Sequence, residues 1–159
     1  MAILKDAVDA AYLVSVMDTE ANNCVLSERA AQEFLRTRLI HKGYCNTLTE
    51  VDIEIQAGRM KIHNFVDVLI NGKVLLELKK APKPKDGHRG QLMKYMGRCQ
   101  CKYGALIVFP HEEGGSYRAE LFVDDSTHPN RPNILPKGLL QPTRAAKLEG
   151  LNYTLLEEH

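Results

Sequence analysis

The sequence lacks tryptophan, has few cysteines and contains no long hydrophobic run. Four cysteines among 159 residues are too few for a disulfide scaffold, and the C-x-C spacing of Cys99 and Cys101 is not that of a zinc or iron–sulfur site. No apolar stretch is long enough to span a membrane, and the first residues do not resemble a signal peptide. The sequence therefore predicts a single domain, residues 1–159, in a reducing compartment: the cytoplasm, or the nucleus of a eukaryote.

Charge of one sign is not in excess either, since 21 Lys and Arg balance 20 Asp and Glu. No serine or cysteine occupies a nucleophile elbow and no glycine-rich loop precedes a predicted helix, which argues against a nucleophilic triad. Basic residues are nevertheless concentrated between positions 79 and 102, where there are eight and a single acid. Such a run is either a phosphate-binding surface or a solvated helix face. Its candidate substrate-binding members, here called the basic stripe, are Lys80, Lys83, Lys85 and Arg89.

The most informative stretch is residues 66–80, two apolar runs joined by an Asn-Gly dipeptide, which predicts a β-hairpin. Continuous apolar runs predict strands covered on both faces. These strands nevertheless carry Asp67, Glu77 and Lys79, and buried charges are costly unless they are paired or bound to a metal. A two-residue loop would put the two acids on opposite faces, whereas a three-residue loop with Gly72 left-handed would bring them together. Only the second hairpin would make a site for a hard cation such as Mg²⁺.

The remaining pattern predicts an α/β fold with a mixed central sheet, in which helices flank an antiparallel hairpin and a parallel strand. Helices are expected over 4–17, 27–42 and from a cap at Asp86 or Gly87, and strands over 48–57, 60–70, 74–79, 104–109 and 117–123. The strand over 104–109 follows a helix and should run parallel to 74–79. Residues 124–159, which hold four of the seven prolines, predict an extended loop and a C-terminal arm, in which 143–156 form either a final helix or a docking arm. Within the second helix, Glu28 lies nearly two turns before Leu35 and projects to the apolar side, although the helix dipole alone also favours an acid there.

Two motifs in this frame resemble those of a known superfamily. Asp67 followed by Glu77-Leu78-Lys79 resembles the PD-(D/E)XK nuclease signature, and the segment 91–95 resembles the QxxxY motif of its RecB-like branch. The resemblance covers residues 25–110 and is closest to the small stand-alone GxxExxY proteins, although this chain has Val and Ala where that motif has Gly and Tyr. It implies a restriction-endonuclease-like core over about 25–123.

The resemblance also implies a function, a Mg²⁺- or Mn²⁺-dependent nuclease that hydrolyses phosphodiester bonds, with DNA favoured over RNA as the partner. The implied catalytic residues are Asp67, Glu77 and Lys79. The implied metal ligands are Glu28, Asp67, Glu77 and the carbonyl of Leu78. The implied substrate-binding residues are Gln91 near the metal-bound phosphate, Tyr95 against the nucleic-acid backbone, and the basic stripe.

An alternative from another class is a catalytically inactive module on the same fold that binds nucleic acid or a protein partner. The intact set of Asp67, Glu77 and Lys79 argues against lost activity. A purely structural protein would leave the buried charges unexplained. No membrane partner is indicated, and a homodimer is compatible with either function.

Overall fold

A computed structural model describes residues 1–16, 27–110, 117–128 and 130–147 of the chain. Its helices and strands are α1 (Ala2–Val16), α2 (Glu28–His41), β1 (Thr47–Ala57), β2 (Met60–Ile70), β3 (Val74–Lys80), α3 (Asp86–Cys99), β4 (Tyr103–Phe109), β5 (Arg118–Asp124) and β6 (Ile134–Leu140). The predicted end of the first helix at Met17 and the predicted turn before β5 at Gly114-Gly115 lie outside the described residues. None of the described helices is both long and apolar enough to cross a membrane.

The described strands form one six-stranded sheet in the order β1-β2-β3-β4-β5-β6. The β3–β4 pair is parallel and the other four pairs are antiparallel. Parallel neighbours need a crossover, and α3 supplies it between β3 and β4. The predicted α/β class with a mixed sheet is confirmed, as is the order helix, three strands, helix, strand from α2 to β4.

Two apolar layers cover the sheet. One joins α1 and α2 to the face that carries Leu76 and Leu78, and the other lies under α3 and contains Leu75. The hairpin is therefore covered on both faces over β3 and residues 66–70, as the continuous apolar runs there predict, whereas residues 60–65 of β2 are largely exposed. The same burial leaves little water for any ionisable group placed between the layers.

The start of α2 follows its sequence signal, whereas that of α3 does not. Ser27 caps α2 and its hydroxyl accepts the Ala30 N–H at 3.1 Å. The predicted cap of α3 at Asp86 or Gly87 is wrong, because Lys85 is the cap residue and its N–H donates to His88 Nδ1. Asp86 is instead the first helical residue, a position in which the helix dipole favours an acid.

The predicted proline-rich loop after Asp124 is wrong in part, because residues 134–140 form β6 at the edge of the sheet. Pro136 pairs with Phe122 there, at a point where the register shifts. Proline is tolerated on an edge strand, since the outer side of the strand has no neighbour that needs its missing N–H. Beyond β6, the Thr143 N–H and hydroxyl donate to the buried Asp9 carboxylate at 2.7 and 2.8 Å, which fastens the chain to α1. The rest of the predicted arm, 148–159, lies outside the described residues.

Candidate active site

The turn between β2 and β3 has three residues, 71–73, and therefore brings the two hairpin acids to one place. Asn71 and Gly72 both adopt the left-handed conformation, with φ of 53° and 64°, which these two residue types tolerate best. The strands stay in register up to the residues just before the acids. Asp67 and Glu77 directly adjoin the last paired residues, Val68 and Leu76, and they lie close enough for the charge of Asp67 to act on Glu77.

Backbone groups of the hairpin hold both carboxylates. Asp67 Oδ2 accepts the Leu78 N–H at 2.8 Å, and the Asp67 N–H in turn interacts with the Glu77 carboxylate. Glu77 is only 1% exposed, and its Oε1 has no hydrogen-bond partner in the described part of the chain. A buried, unpaired carboxylate oxygen costs on the order of 1–3 kcal/mol or more, so its presence needs an explanation. A bound cation would provide one.

The electrostatics of the pair follow from this burial. Burial raises the pKa of Glu77 to about 8, the charge of Asp67 adds to the rise, and the ammonium of Lys79 opposes it. Burial also raises the pKa of Asp67, and the negative charges of Glu28 and Glu50 add to that rise. The ionisation of Asp67 is therefore disfavoured by Glu28 and Glu50, and that of Glu77 by Asp67 and Glu28. A divalent cation would relieve this repulsion and displace the protons.

A cavity of about 180 Å³ opens beside Asp67. Its walls are formed by Glu28, Arg29, Gln32, Glu50, Asp67 and Leu78. The structure thus places the predicted Glu28, in the first turn of α2, on the same cavity as the hairpin acid. Among the described residues, no three or more Asp, Glu, His or Cys side chains are grouped as they would be around a bound metal ion. The donor set of hard carboxylate oxygens nevertheless fits Mg²⁺ or Mn²⁺, and the unpaired Glu77 oxygen leaves a coordination position to fill.

Gln32 is a site residue that the sequence did not indicate. It is 3% exposed and its Nε2 donates to the backbone carbonyl of Asp67 at 2.6 Å. One turn later, Arg36 Nε makes a comparable bond to the carbonyl of Thr47 at 3.1 Å. Gln32 stands four residues after Glu28 and so shares its side of α2, which is the one sequence signal that could have drawn attention to it.

Glu50 is the second residue missed by sequence reasoning. It lies within β1 yet has φ of 52°, a left-handed conformation that is uncommon for a residue other than glycine. In the β1–β2 register its neighbours Thr49 and Val51 pair with Val68 and Val66, the residues on either side of Asp67. On β2, Val66 packs under α3 whereas Val68 packs against the α1 and α2 layer, so side-chain alternation breaks at the same place. No periodicity in the sequence predicts such a break.

The amino end of α3 borders the site near Lys79, which is half-buried. Burial lowers the pKa of His88, the charges of Lys79 and Lys85 lower it further, and Glu28 opposes the change. His88 therefore lies within electrostatic reach of the catalytic candidates on α2 and β3. Its side chain was not among the predicted site residues.

Gln91 and Tyr95, the predicted QxxxY pair, contact each other on α3. The Gln91 Nε2 donates to the Tyr95 hydroxyl at 2.8 Å, and Tyr95 is 3% exposed within the core that contains Leu92 and Met96. A direct contact of Tyr95 with a nucleic-acid backbone is not compatible with this burial. Tyr95 is placed to hold the half-buried Gln91 instead.

The basic stripe divides into two parts. Lys83 and Lys85 are exposed and Lys80 is half-buried. Arg89 instead binds the buried Glu120 at 2.8 Å and Asp86 at 2.9 Å. Two carboxylates therefore already neutralise its guanidinium, and the contact of Arg89 with phosphate stays a prediction.

A larger cavity, about 500 Å³, lies away from these acids between the end of α3 and residues 124–128. Its carboxylate Asp124 accepts the N–H groups of Ser126 and Asn133 at 2.9 and 3.0 Å. That acid is committed to shaping a turn. The buried and unsatisfied acids of the hairpin, rather than cavity size, therefore mark the candidate active site.

A helix bearing an acid, a hairpin that pairs two acids beside a lysine, and a crossover helix leading to a parallel strand together define a restriction-endonuclease-like core. Residues 5–119 match the PD-(D/E)XK nuclease superfamily, and the chain belongs to it. Members of this superfamily are usually metal-dependent nucleases. The chain is similar to the crystal structure of SSO0001. The match covers 98% of this chain and 75% of the SSO0001 chain, with 19% sequence identity and a TM-score of 0.37. No curated protein matches the chain.

Proposed function

We propose that the protein is a Mg²⁺- or Mn²⁺-dependent nuclease that hydrolyses phosphodiester bonds, with DNA as the first substrate to test. The observation that carries the proposal is the proximity of Asp67 to a buried Glu77 whose Oε1 has no hydrogen-bond partner among the described residues. Superfamily membership gives this pair its chemical context.

The proposed metal ligands are Asp67, Glu77, the carbonyl of Leu78 and Glu28. A bound divalent ion lowers the pKa of a coordinated water and stabilises charge on a phosphoryl group. The chain's own contribution is to hold these oxygens in place. The Asp67–Leu78 hydrogen bond fixes one carboxylate against β3, and Gln32 fixes the backbone of Asp67 against α2.

Lys79 is the proposed catalytic cation. It shares a strand face with Glu77, two residues away, and its positive charge lowers the pKa of both acids. A lysine in this position orients the attacking water and neutralises negative charge that develops on the phosphoryl group. Gln91, held by Tyr95, and the exposed Lys83 and Lys85 are proposed to position the substrate backbone.

The test is incubation of end-labelled DNA and RNA with wild type, Glu77→Gln and Lys79→Ala, with and without Mg²⁺ or Mn²⁺. We expect metal-dependent cleavage by wild type and a loss of about 10²–10³-fold in both variants, as when a preorganised electrostatic group is removed. Glu54→Gln is the matched control, because Glu54 is an exposed acid on β1 that pairs with Lys61 at 3.2 Å. It should cut at the wild-type rate.

Two results would contradict the proposal. A wild-type protein that binds nucleic acid and cuts none of these substrates with either ion would be an inactive binding module. A Glu77→Gln variant that cuts as well as wild type would show that the active site lies elsewhere.

A further inference from the structure

Among the described residues, Glu50 differs from the other acids of β1 in having no hydrogen-bond or ion-pair partner. Asp52 contacts His63 at 2.9 Å and Glu54 contacts Lys61 at 3.2 Å. No hydrogen bond or ion pair involves the Glu50 carboxylate within the described part of the chain. The unpaired acid is also the one in the left-handed conformation.

The backbone conformation of Glu50 carries a cost. A residue other than glycine in this region is strained by roughly 1 kcal/mol or more. This strained residue lies beside Asp67, at the point where the side chains of β2 also break their alternation. Both irregularities lie at the cavity whose walls include Glu28, Glu50 and Asp67. The positively charged Arg29 also lines this cavity, so the acids there outnumber the base.

A separate observation also indicates a ligand for this group of acids. Glu77 is 1% exposed and lies beside Asp67, and its Oε1 has no hydrogen-bond donor in the described part of the chain. When they are ionised, the four acids carry more negative charge than Lys79 and Arg29 can balance. A cation is the chemical class of ligand that fits.

We propose that Glu50 supplies a further carboxylate to the divalent cation that Asp67 and Glu77 hold, an assignment that rests on the proposed function. The left-handed turn of β1 serves to direct this side chain into the site. The competing explanation is a bulge that merely blunts an edge strand, for which the identity of the side chain would not matter.

The test measures binding of Mn²⁺ alone by calorimetry, without nucleic acid, to wild type, Glu50→Gln, Glu50→Gly and Glu54→Gln. Glu50→Gln removes the charge but keeps the strain of a left-handed backbone at this position. Glu50→Gly removes the charge and also adopts the left-handed conformation without strain. We expect both Glu50 variants to bind Mn²⁺ on the order of tenfold more weakly. Glu54→Gln, which removes the same charge four residues along β1, should bind as wild type does.

A second readout is the melting temperature of the metal-free proteins, which should rise in Glu50→Gly because both strain and repulsion are relieved. Equal Mn²⁺ affinity in wild type and both Glu50 variants would overturn the assignment and leave the proposed nuclease intact. An equal loss in Glu54→Gln would also overturn it, because the effect would then be one of general charge. If wild type itself fails to bind Mn²⁺, the proposed metal site fails, and this inference fails with it.

Discussion

The buried Glu77 should make the metal-free protein less stable as the pH rises. Burial beside Asp67 raises its pKa from the ordinary 4.5 to about 8, whereas the unfolded chain titrates near the ordinary value. Between those values the folded state binds more protons than the unfolded state, so the free energy of unfolding falls with rising pH. At 1.36 kcal/mol for each pH unit the full effect is about 5 kcal/mol, of which about 3 kcal/mol falls between pH 5 and pH 8.

Glu77→Gln isolates this effect, because glutamine has the same shape and does not titrate. Its amide would leave a donor unsatisfied where Oε1 has no partner, at a cost of about 1–3 kcal/mol at every pH. The informative quantity is therefore the difference in pH dependence. The assay is urea unfolding at pH 5, 6, 7 and 8 in the presence of a chelator. Wild type should lose about 3 kcal/mol more than Glu77→Gln across that range.

Excess Mg²⁺ or Mn²⁺ should abolish the extra loss in wild type, because the ion favours the ionised acids of the folded state. Glu54→Gln, which removes an exposed acid from β1, should leave the wild-type pH dependence unchanged. Parallel curves for wild type and Glu77→Gln would refute the reasoning. They would mean that Glu77 titrates alike in the folded and unfolded chain, so that neither its burial nor its neighbours distinguish it.

Two further measurements test the support of the site and its outer surface. Gln32→Met loses the 2.6 Å hydrogen bond to the Asp67 carbonyl and should weaken Mn²⁺ binding, measured by calorimetry, about tenfold. Arg36→Met breaks a similar hydrogen bond between α2 and the backbone and should leave Mn²⁺ affinity unchanged. An equal loss of affinity in both variants would mean that both bonds serve only to hold the helix against the sheet. Replacing Lys83 and Lys85 together by glutamine should reduce the slope of log K against log salt concentration for duplex DNA binding by about two. Binding is measured by fluorescence anisotropy in the presence of a chelator. An unchanged slope would assign these lysines to a solvated surface.

Local sequence determined the frame that carries the site. The Asn-Gly dipeptide between apolar runs specified the hairpin, and Ser27 specified the start of α2. Continuous apolar strands specified burial on both faces, and so made the two acids within them anomalous. These features could be predicted because each depends on neighbours a few residues away or on a regular period. The pairing of Asp67 with Glu77 needed only one further fact, the number of residues in the turn.

The tertiary structure decided which side chains surround that pair. Gln32 reaches a carbonyl 35 positions away, and Arg89 is neutralised by an acid 31 positions away. Glu50 lines the cavity beside Asp67 and has a backbone conformation that its residue type disfavours. Such contacts depend on how α2, α3 and the sheet pack together, and packing overrides local preference wherever enough apolar surface is buried elsewhere. The sequence alone therefore located the acids of the hairpin, while the residues that hold them in place emerged only when helices distant in sequence met the sheet.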